Sequence, residues 1–92
     1  MTGGKNVTRP QHVLDVTGYQ CPLPVLHARK RLIALAPGDE LLVLANDPVA
    51  RLDLPHFCAE AGHDLLETHE HNGIIEYLIR RGPDRHLPDS DD

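Results

Sequence analysis

Apolar and polar positions along the first half of the chain repeat with two different periods, and the change of period separates the predicted elements. Residues 12–16 alternate between polar and apolar side chains and include β-branched residues, which predicts a short first strand. From residue 22 to about 35 the apolar positions instead recur at helical spacing, at Val25, Ala28, Leu32 and Leu35. Pro37-Gly38 predicts the end of this first helix.

An almost continuous apolar run begins the second half. Residues 40–45 predict a central strand because a strand covered on both faces need not alternate. Asp53 is predicted to cap a second helix, with Pro55 in its first turn and Gly62 at its end. The apolar face of this helix is expected to comprise Leu54, Phe57, Cys58 and Ala61.

The last predicted elements are two strands, at residues 64–70 and 74–80, joined as an antiparallel hairpin through His71-Asn72-Gly73. The order β-α-β-α-β-β predicts an α/β fold, a two-layer sandwich with a four-stranded mixed sheet and both helices on one face. The uncovered face of the sheet then retains some aliphatic surface from residues 41–45. Either neighbouring side chains cover this aliphatic surface, or it is a surface that another protein contacts. We favour the first interpretation.

Length and composition restrict the protein to one small domain. Ninety-two residues suffice for a single core at 12–82, between a flexible leader at 1–11 and a disordered, acidic tail at 83–92. Nine basic and fourteen acidic side chains give a net charge of −5, which argues against direct nucleic-acid binding. No apolar run is long enough to span a membrane, and the polar leader does not resemble a signal peptide. We therefore expect a cytoplasmic protein, in a compartment where thiols stay reduced.

Cys21, followed by Pro22, Leu23 and Pro24, is the strongest chemical feature of the sequence. Proline is tolerated in the first turn of a helix, so this order places Cys21 at the N-cap and Pro22 at the first helical position. A thiol there lies at the positive end of the helix dipole, which favours the nucleophilic thiolate. Leu23 and Val25 are then the nearby backbone donors, and the prolines are expected to make the presentation of the sulfur rigid.

Several short motifs together resemble the TusA/SirA-like sulfur-carrier family from about Leu14 to Gly82. In chain order they are Leu14-Asp15-Val16, Gly18, Cys21-Pro22-x-Pro24, Gly38-Asp39, Asp47-Pro48, Asp53-Leu54-Pro55 and Phe57-Cys58. The resemblance implies a two-layer α/β sandwich in which Cys21 carries sulfane sulfur as a persulfide. One departure is visible, because the residue between the two prolines is often glutamate in the family and is Leu23 here.

The resemblance also implies partners. The sulfur donor would be a cysteine desulfurase or a rhodanese-type sulfurtransferase. The acceptor would be a downstream relay protein that serves tRNA 2-thiouridine synthesis, sulfur oxidation or molybdenum-cofactor formation. Such a protein is a sulfurtransferase-type carrier rather than a stand-alone enzyme, needs no cofactor and is most simply a monomer, because it docks on two partners in turn.

Three further residues are candidates for partner contact or presentation of the sulfur. Arg29 and Lys30 lie downstream of Cys21 on the first helix, where they contact either solvent or an acidic partner. Asp47 is expected to cap or brace a turn.

Cys58 and the seven histidines have simpler interpretations. The apolar spacing around Cys58 favours a buried, inert thiol over a resolving cysteine. His56, His63, His69 and His71 do not have helical metal-ligand spacing, so we predict no metal site. Two alternatives to the carrier remain: a non-catalytic interaction or regulatory module, and a thiol redox protein that uses Cys21 and Cys58.

Overall fold

The computed structural model describes residues 12–83 and contains the six predicted elements in the predicted order. They are β1 (His12–Asp15), α1 (Leu23–Ile33), β2 (Glu40–Ala45), α2 (Ala50–Ala61), β3 (Asp64–His71) and β4 (Ile74–Arg80). The predicted leader at 1–11 lies outside the described residues, as does the predicted tail after Pro83. Neither α1 nor α2 is long and apolar enough to cross a lipid bilayer.

The four strands form one mixed sheet in the order β1-β2-β4-β3. β1 pairs with β2 in parallel, whereas β4 pairs antiparallel with both β2 and β3. The connection between β3 and β4 consists of Asn72 and Gly73, because His71 already pairs with Ile74. Both turn residues have positive φ, as a tight two-residue hairpin turn of this kind requires. The mixed sheet and the hairpin are thus confirmed, with a turn one residue shorter than predicted.

Both helices pack against the same face of the sheet, which confirms the two-layer sandwich. Alternate residues of β2 and β4 point into the core, and α1 and α2 contribute residues at helical spacing. The buried side chains from these four elements are Pro24, Ala28, Leu32, Leu41, Val43, Ala45, Ala50, Leu54, Cys58, Ile75, Tyr77 and Ile79. The core therefore lies between the sheet and the helix layer.

The other face of the sheet has aliphatic side chains that their neighbours partly cover. Leu42 is half-buried, and its cross-strand partners are Val13 on β1 and Leu78 on β4. Leu44, also half-buried, pairs with Asp15 and Glu76. Neighbouring side chains thus cover much of the surface that the apolar run of β2 leaves on this face.

The prediction that Cys21 is the N-cap of α1 is wrong by one residue. Pro22 occupies that position with a non-helical backbone conformation, and α1 begins at Leu23. The reason is a turn that precedes the helix, in which the Leu23 N–H donates to the carbonyl of Gln20 at 2.8 Å. Cys21 and Pro22 lie within this turn, joined by a cis peptide bond. The helix also ends at Ile33, two residues before the predicted Leu35.

The predicted start of α2 is wrong by more. The helix begins at Ala50, so Asp53 lies in its first turn rather than at its cap and Pro55 lies inside it. The chain enters the helix through a tight turn, because the Ala50 N–H donates to the Asp47 carbonyl at 3.0 Å and the Arg51 N–H to the Pro48 carbonyl at 3.2 Å. The predicted end is confirmed, since Gly62 has the left-handed conformation that favours glycine at this position.

Candidate functional site

Cys21 lies in the turn between β1 and α1, with its side chain exposed. Gly18 has positive φ at the start of this turn and donates its N–H to Asn46 Oδ1 at 2.8 Å. The Cys21 N–H donates to Asp47 Oδ2 at 2.7 Å. Two residues that follow β2 therefore fix the backbone of the turn, one at Gly18 and the other at the cysteine itself.

The Cys21 side chain is held separately, by the second helix. Its thiol donates a hydrogen bond to Asp53 Oδ2, with Sγ and Oδ2 3.0 Å apart. Asp53 is half-buried in the first turn of α2, 32 residues further along the chain. Two aspartates thus contact Cys21. Asp47, which precedes α2, binds its backbone, and Asp53, in the first turn of α2, binds its side chain.

These contacts oppose the predicted activation of the thiol by the helix dipole. The hydrogen bond to Asp53 raises the pKa of Cys21, with smaller contributions in the same direction from partial desolvation and from the negative charges of Asp53 and Asp47. Leu23, one of the two expected backbone donors, already donates its N–H to Gln20. In the isolated chain, these contacts therefore favour the thiol of Cys21 over its thiolate.

Exposed apolar side chains flank both chain segments that meet at Cys21. Tyr19 and Leu23, beside the cysteine, are 43% and 44% exposed, and Val49 and Leu52, beside the aspartates, are 42% and 75% exposed. A shallow hollow of about 240 Å³ adjoins the turn, lined by Gly18, Tyr19, Gln20, Asn46, Asp47 and Pro48. Exposed aliphatic and aromatic groups around an accessible sulfur are typical of a surface that other proteins contact.

The structure separates the remaining predicted site residues into two groups. Pro24 is buried and Pro22 is exposed, so the two prolines connect the sulfur-bearing turn to the core. Arg29 and Lys30 are exposed and lie six and seven residues after the start of α1, roughly 9–11 Å along its axis from that start. They do not line the sulfur.

Cys58 is 2% exposed in the core, which confirms the interpretation of a buried thiol. Burial raises the pKa of Cys58 to about 11, with a further contribution from the charge of Asp64. A thiol with so little thiolate at neutral pH is a poor nucleophile.

The histidines in the described part of the chain bind other side chains or the backbone. His56, His69 and His71 lie within 3.2 Å of Glu60, Glu67 and Glu76, respectively. Within residues 12–83, no three histidine, cysteine, aspartate or glutamate side chains are arranged to hold a metal ion.

Asp53 is the site residue that sequence reasoning missed. Its position ahead of Leu54 and Pro55 is typical of a helix start and predicts a capping residue, not a contact with the sulfur. The signal that was available is the spacing of the apolar positions Ala50, Leu54 and Cys58, four residues apart. That spacing extends the helix back to Ala50 and leaves the Asp53 carboxylate free for another partner.

Comparison with known proteins gives consistent matches over the described domain. Residues 12–81 match the family model of the sulfurtransferase TusA. The sulfur carrier protein TusA of Pseudomonas paraeruginosa strain PA7 is 44% identical over 72 residues, which cover 78% of this chain and 91% of that protein. The TusA of Pseudomonas aeruginosa strain PAO1 matches with the same values.

A solved structure has the same fold. The SirA-like protein of Desulfitobacterium hafniense superimposes with a TM-score of 0.70 at 31% identity, covering 78% of this chain and 99% of that one. This chain thus matches the TusA proteins over 91% of their length and the SirA-like protein over 99% of its length.

Proposed function

We propose that Cys21 is the residue that bears the persulfide. The chain belongs to the TusA family and is a sulfur-transfer carrier, and the proposal proceeds from that identity. One observation carries the assignment to Cys21. It is the exposed cysteine of the described domain, whereas Cys58 is enclosed in the core. A sulfur that passes between proteins must be reached by both of them, and Cys21 meets that requirement.

Loading is a thiol-disulfide-type exchange. Cys21 Sγ, as a thiolate, attacks the terminal sulfur of a persulfide on the donor protein. The sulfur-sulfur bond to the donor breaks while a new one forms to Cys21, and the donor cysteine leaves as a thiolate. The proton lost by Cys21 is balanced by the one that the donor thiolate takes up. Cys21 is oxidised to the persulfide as the donor is reduced to the thiol, so the exchange has no net oxidation. Unloading is the same reaction with an acceptor thiolate as the attacking group.

The turn between β1 and α1 presents the sulfur to a partner. Pro22 and Pro24 lead from the cysteine into the helix, and Asp47 holds the backbone N–H of Cys21 at 2.7 Å. Leu23 supplies an exposed apolar contact where the family often has glutamate. Arg29 and Lys30 extend the contact surface along α1 toward an acidic partner. We assign these residues to docking and orientation, not to the exchange.

The partners follow from the chemistry. A cysteine desulfurase or a rhodanese-type sulfurtransferase would supply the sulfane sulfur, and the acceptor would be a relay protein with its own reactive cysteine, for tRNA 2-thiouridine synthesis, sulfur oxidation or cofactor sulfuration. The carrier would act as a monomer in the cytoplasm, where a free thiol is kept reduced. The rival thiol redox function is disfavoured because the core encloses Cys58.

The test is transfer of sulfur to the intact chain. The protein is incubated with a cysteine desulfurase and cysteine, and its intact mass is recorded. We expect a gain of one sulfur atom that a reducing agent reverses, and we expect Cys21→Ser to abolish it.

Cys58→Ala is the matched control, because it removes the other thiol of the chain. This variant should still gain one sulfur atom, provided that a melting curve shows it to be folded. A sulfur gain that persists in Cys21→Ser and disappears in Cys58→Ala would show that Cys58 bears the persulfide and would overturn the assignment to Cys21.

A further inference from the structure

We propose that Asp53 holds the proton on Cys21 in the free carrier, and that a cationic side chain of the docked partner releases it by pairing with Asp53. This inference rests on the proposed persulfide function of Cys21. It assigns to Asp53 the control of when the sulfur becomes nucleophilic. The rate of sulfur transfer then depends on the partner's charge as well as on its shape.

The geometry that carries the proposal is the direct contact between the two side chains. Cys21 Sγ and Asp53 Oδ2 are 3.0 Å apart, and the thiol is the donor. A carboxylate accepts this hydrogen bond only while the thiol keeps its proton. Loss of the proton replaces the bond by two negative charges in contact, which is unfavourable.

A second carboxylate strengthens the same effect. Asp47 Oδ2 lies on the backbone N–H of Cys21 at 2.7 Å, so its negative charge is also close to the sulfur. The first turn of α1 has no acidic side chain, and Asp53 and Asp47 are the charged groups in the described chain that act on the thiol. Both of them oppose the thiolate.

The surroundings of the aspartate allow a partner to reach it. Asp53 is half-buried, Leu52 beside it is 75% exposed, and the cysteine is exposed. A lysine or arginine side chain placed against this surface would pair with Asp53 and withdraw it from the thiol. The same cation would stabilise the thiolate that forms, since an opposite charge within a few ångströms favours the charged state.

This arrangement suits a carrier that must not react indiscriminately. A cysteine that is permanently a thiolate reacts with any accessible disulfide or oxidant. A thiol that a carboxylate keeps protonated becomes reactive chiefly where a matching cation is present. The docking partner would thereby supply the activation that the isolated chain lacks.

The first experiment measures the rate at which iodoacetamide alkylates Cys21 as a function of pH, read from the mass of the peptide that contains it. Asp53→Asn should lower the pH midpoint of this rate. A decrease of one unit in the pKa of Cys21 would give about ten times more thiolate at neutral pH. Because a more acidic thiolate is a weaker nucleophile, the alkylation rate would rise only about threefold. Glu60→Gln is the matched control, because it removes one negative charge from an exposed position of the same helix.

The second experiment tests the partner's charge with two methanethiosulfonate reagents, one carrying an ammonium group and one a sulfonate group. Wild-type protein should react faster with the cationic reagent, and Asp53→Asn should reduce that preference more than Glu60→Gln does. The two variants have equal net charge, so the comparison isolates the position of the charge. Equal preferences and equal pH midpoints in the two variants would overturn the proposal.

A third measurement needs no variant and applies even if Asp53→Asn does not fold. The pH midpoint of Cys21 alkylation in the folded wild-type protein should lie above that of the same protein unfolded in urea. A folded midpoint equal to or below the unfolded one would overturn the proposal. None of these readouts uses a sulfur donor, so failure of persulfide formation and failure of this inference are distinguishable.

Discussion

Tyr77 shows how a single buried group can be left without a partner. Its side chain is 1% exposed, and within residues 12–83 no atom accepts or donates a hydrogen bond at its hydroxyl group. The ring adjoins a groove of about 380 Å³ lined by Arg51, Pro55, Thr68, Glu70, Ile75 and Tyr77. Arg51 and Glu70 pair with each other across this groove at 2.7 Å. The hydroxyl therefore bears a desolvation cost that no contact within the described chain offsets.

We expect Tyr77→Phe to leave the free energy of unfolding unchanged or to raise it by about 1 kcal/mol, because it removes an unpaired buried polar group. Urea unfolding measures the change, and Tyr19→Phe at an exposed position is the control, with no measurable effect expected. A loss above about 1 kcal/mol in Tyr77→Phe would instead mean that a water molecule in the groove binds the hydroxyl.

At the same scale, the sequence distinguishes the exposed cysteine from the buried one, but it does not indicate the acid strength of the exposed thiol. Cys21 is recognisable because two prolines follow it closely and a helical pattern comes next. Its pKa depends on Asp53, a residue 32 positions away that local pattern assigned to a different role. Proton affinity is set by contacts between distant segments, and such contacts are not encoded in spacing along one segment.

The elements themselves were predictable because each has a recognisable apolar pattern or run and a clear stop. Gly62 and the Asn72-Gly73 turn have the backbone conformations that their residue types favour, so the ends of α2 and β3 were close to the prediction. The beginnings of the helices were less predictable. Pro22 and Pro55 both suggested a first turn, yet one is the N-cap and the other lies inside the helix.

The junction between the end of β4 and the end of α2 depends on a glycine. Gly82 is buried and donates its N–H to His63 Nδ1 at 2.9 Å. A Cβ atom at Gly82 would overlap the carbonyl oxygen of Gly62, which is backbone and cannot rotate away. The two chain segments therefore approach each other more closely than any residue with a side chain allows.

We predict that Gly82→Ala lowers the free energy of unfolding by about 3 kcal/mol, since it forces these two segments apart. Gly73→Ala is the control, because its Cβ would meet open space and only the positive φ opposes it, at a cost of about 1–2 kcal/mol. Both changes are measurable by urea unfolding. Equal losses in the two variants would show that the contact with Gly62 does not limit residue size at Gly82.

For the molecule as a whole, element order and core were predictable and the assembly of the site was not. The apolar run of β2 and the helical spacing around Ala28 and Leu54 identify the elements that share one core. That is sufficient to specify a two-layer sandwich. It does not specify which residue at the start of α2 faces the turn that carries Cys21.

The stability of the whole domain should also depend on one histidine. His63 Nδ1 accepts the Gly82 N–H, and its ring contacts Phe57 at a centroid separation of 5.6 Å. Desolvation, with a smaller contribution from the Arg81 charge, lowers the pKa of His63, while Asp64 acts in the opposite direction. The folded state thus favours neutral His63, and the stability from this preference is present above the unfolded pKa of about 6.5.

As the pH falls from 7.5 to 5.0, the unfolded chain takes up a proton at residue 63 more readily than the folded one, so the melting temperature should fall. His63→Asn is expected to flatten this dependence, because the Asn oxygen can accept the Gly82 N–H without titrating. Thermal melts at a series of pH values measure both proteins. Parallel pH profiles would show that His63 does not contribute.

On the proposed assignment of the persulfide to Cys21, the hydrogen bond between Cys21 and Asp53 would also let partners distinguish the empty carrier from the loaded one. Sγ of the loaded carrier would be bonded to a second sulfur atom and have no hydrogen to donate, so the hydrogen bond from Sγ to Asp53 would exist only in the empty carrier. Empty and loaded molecules then differ at the surface that contains Leu52 and Val49, where other proteins can contact them. A donor that binds the hydrogen-bonded form and an acceptor that binds the form without this bond would give the sulfur a direction of travel, although the exchange reaction itself has none.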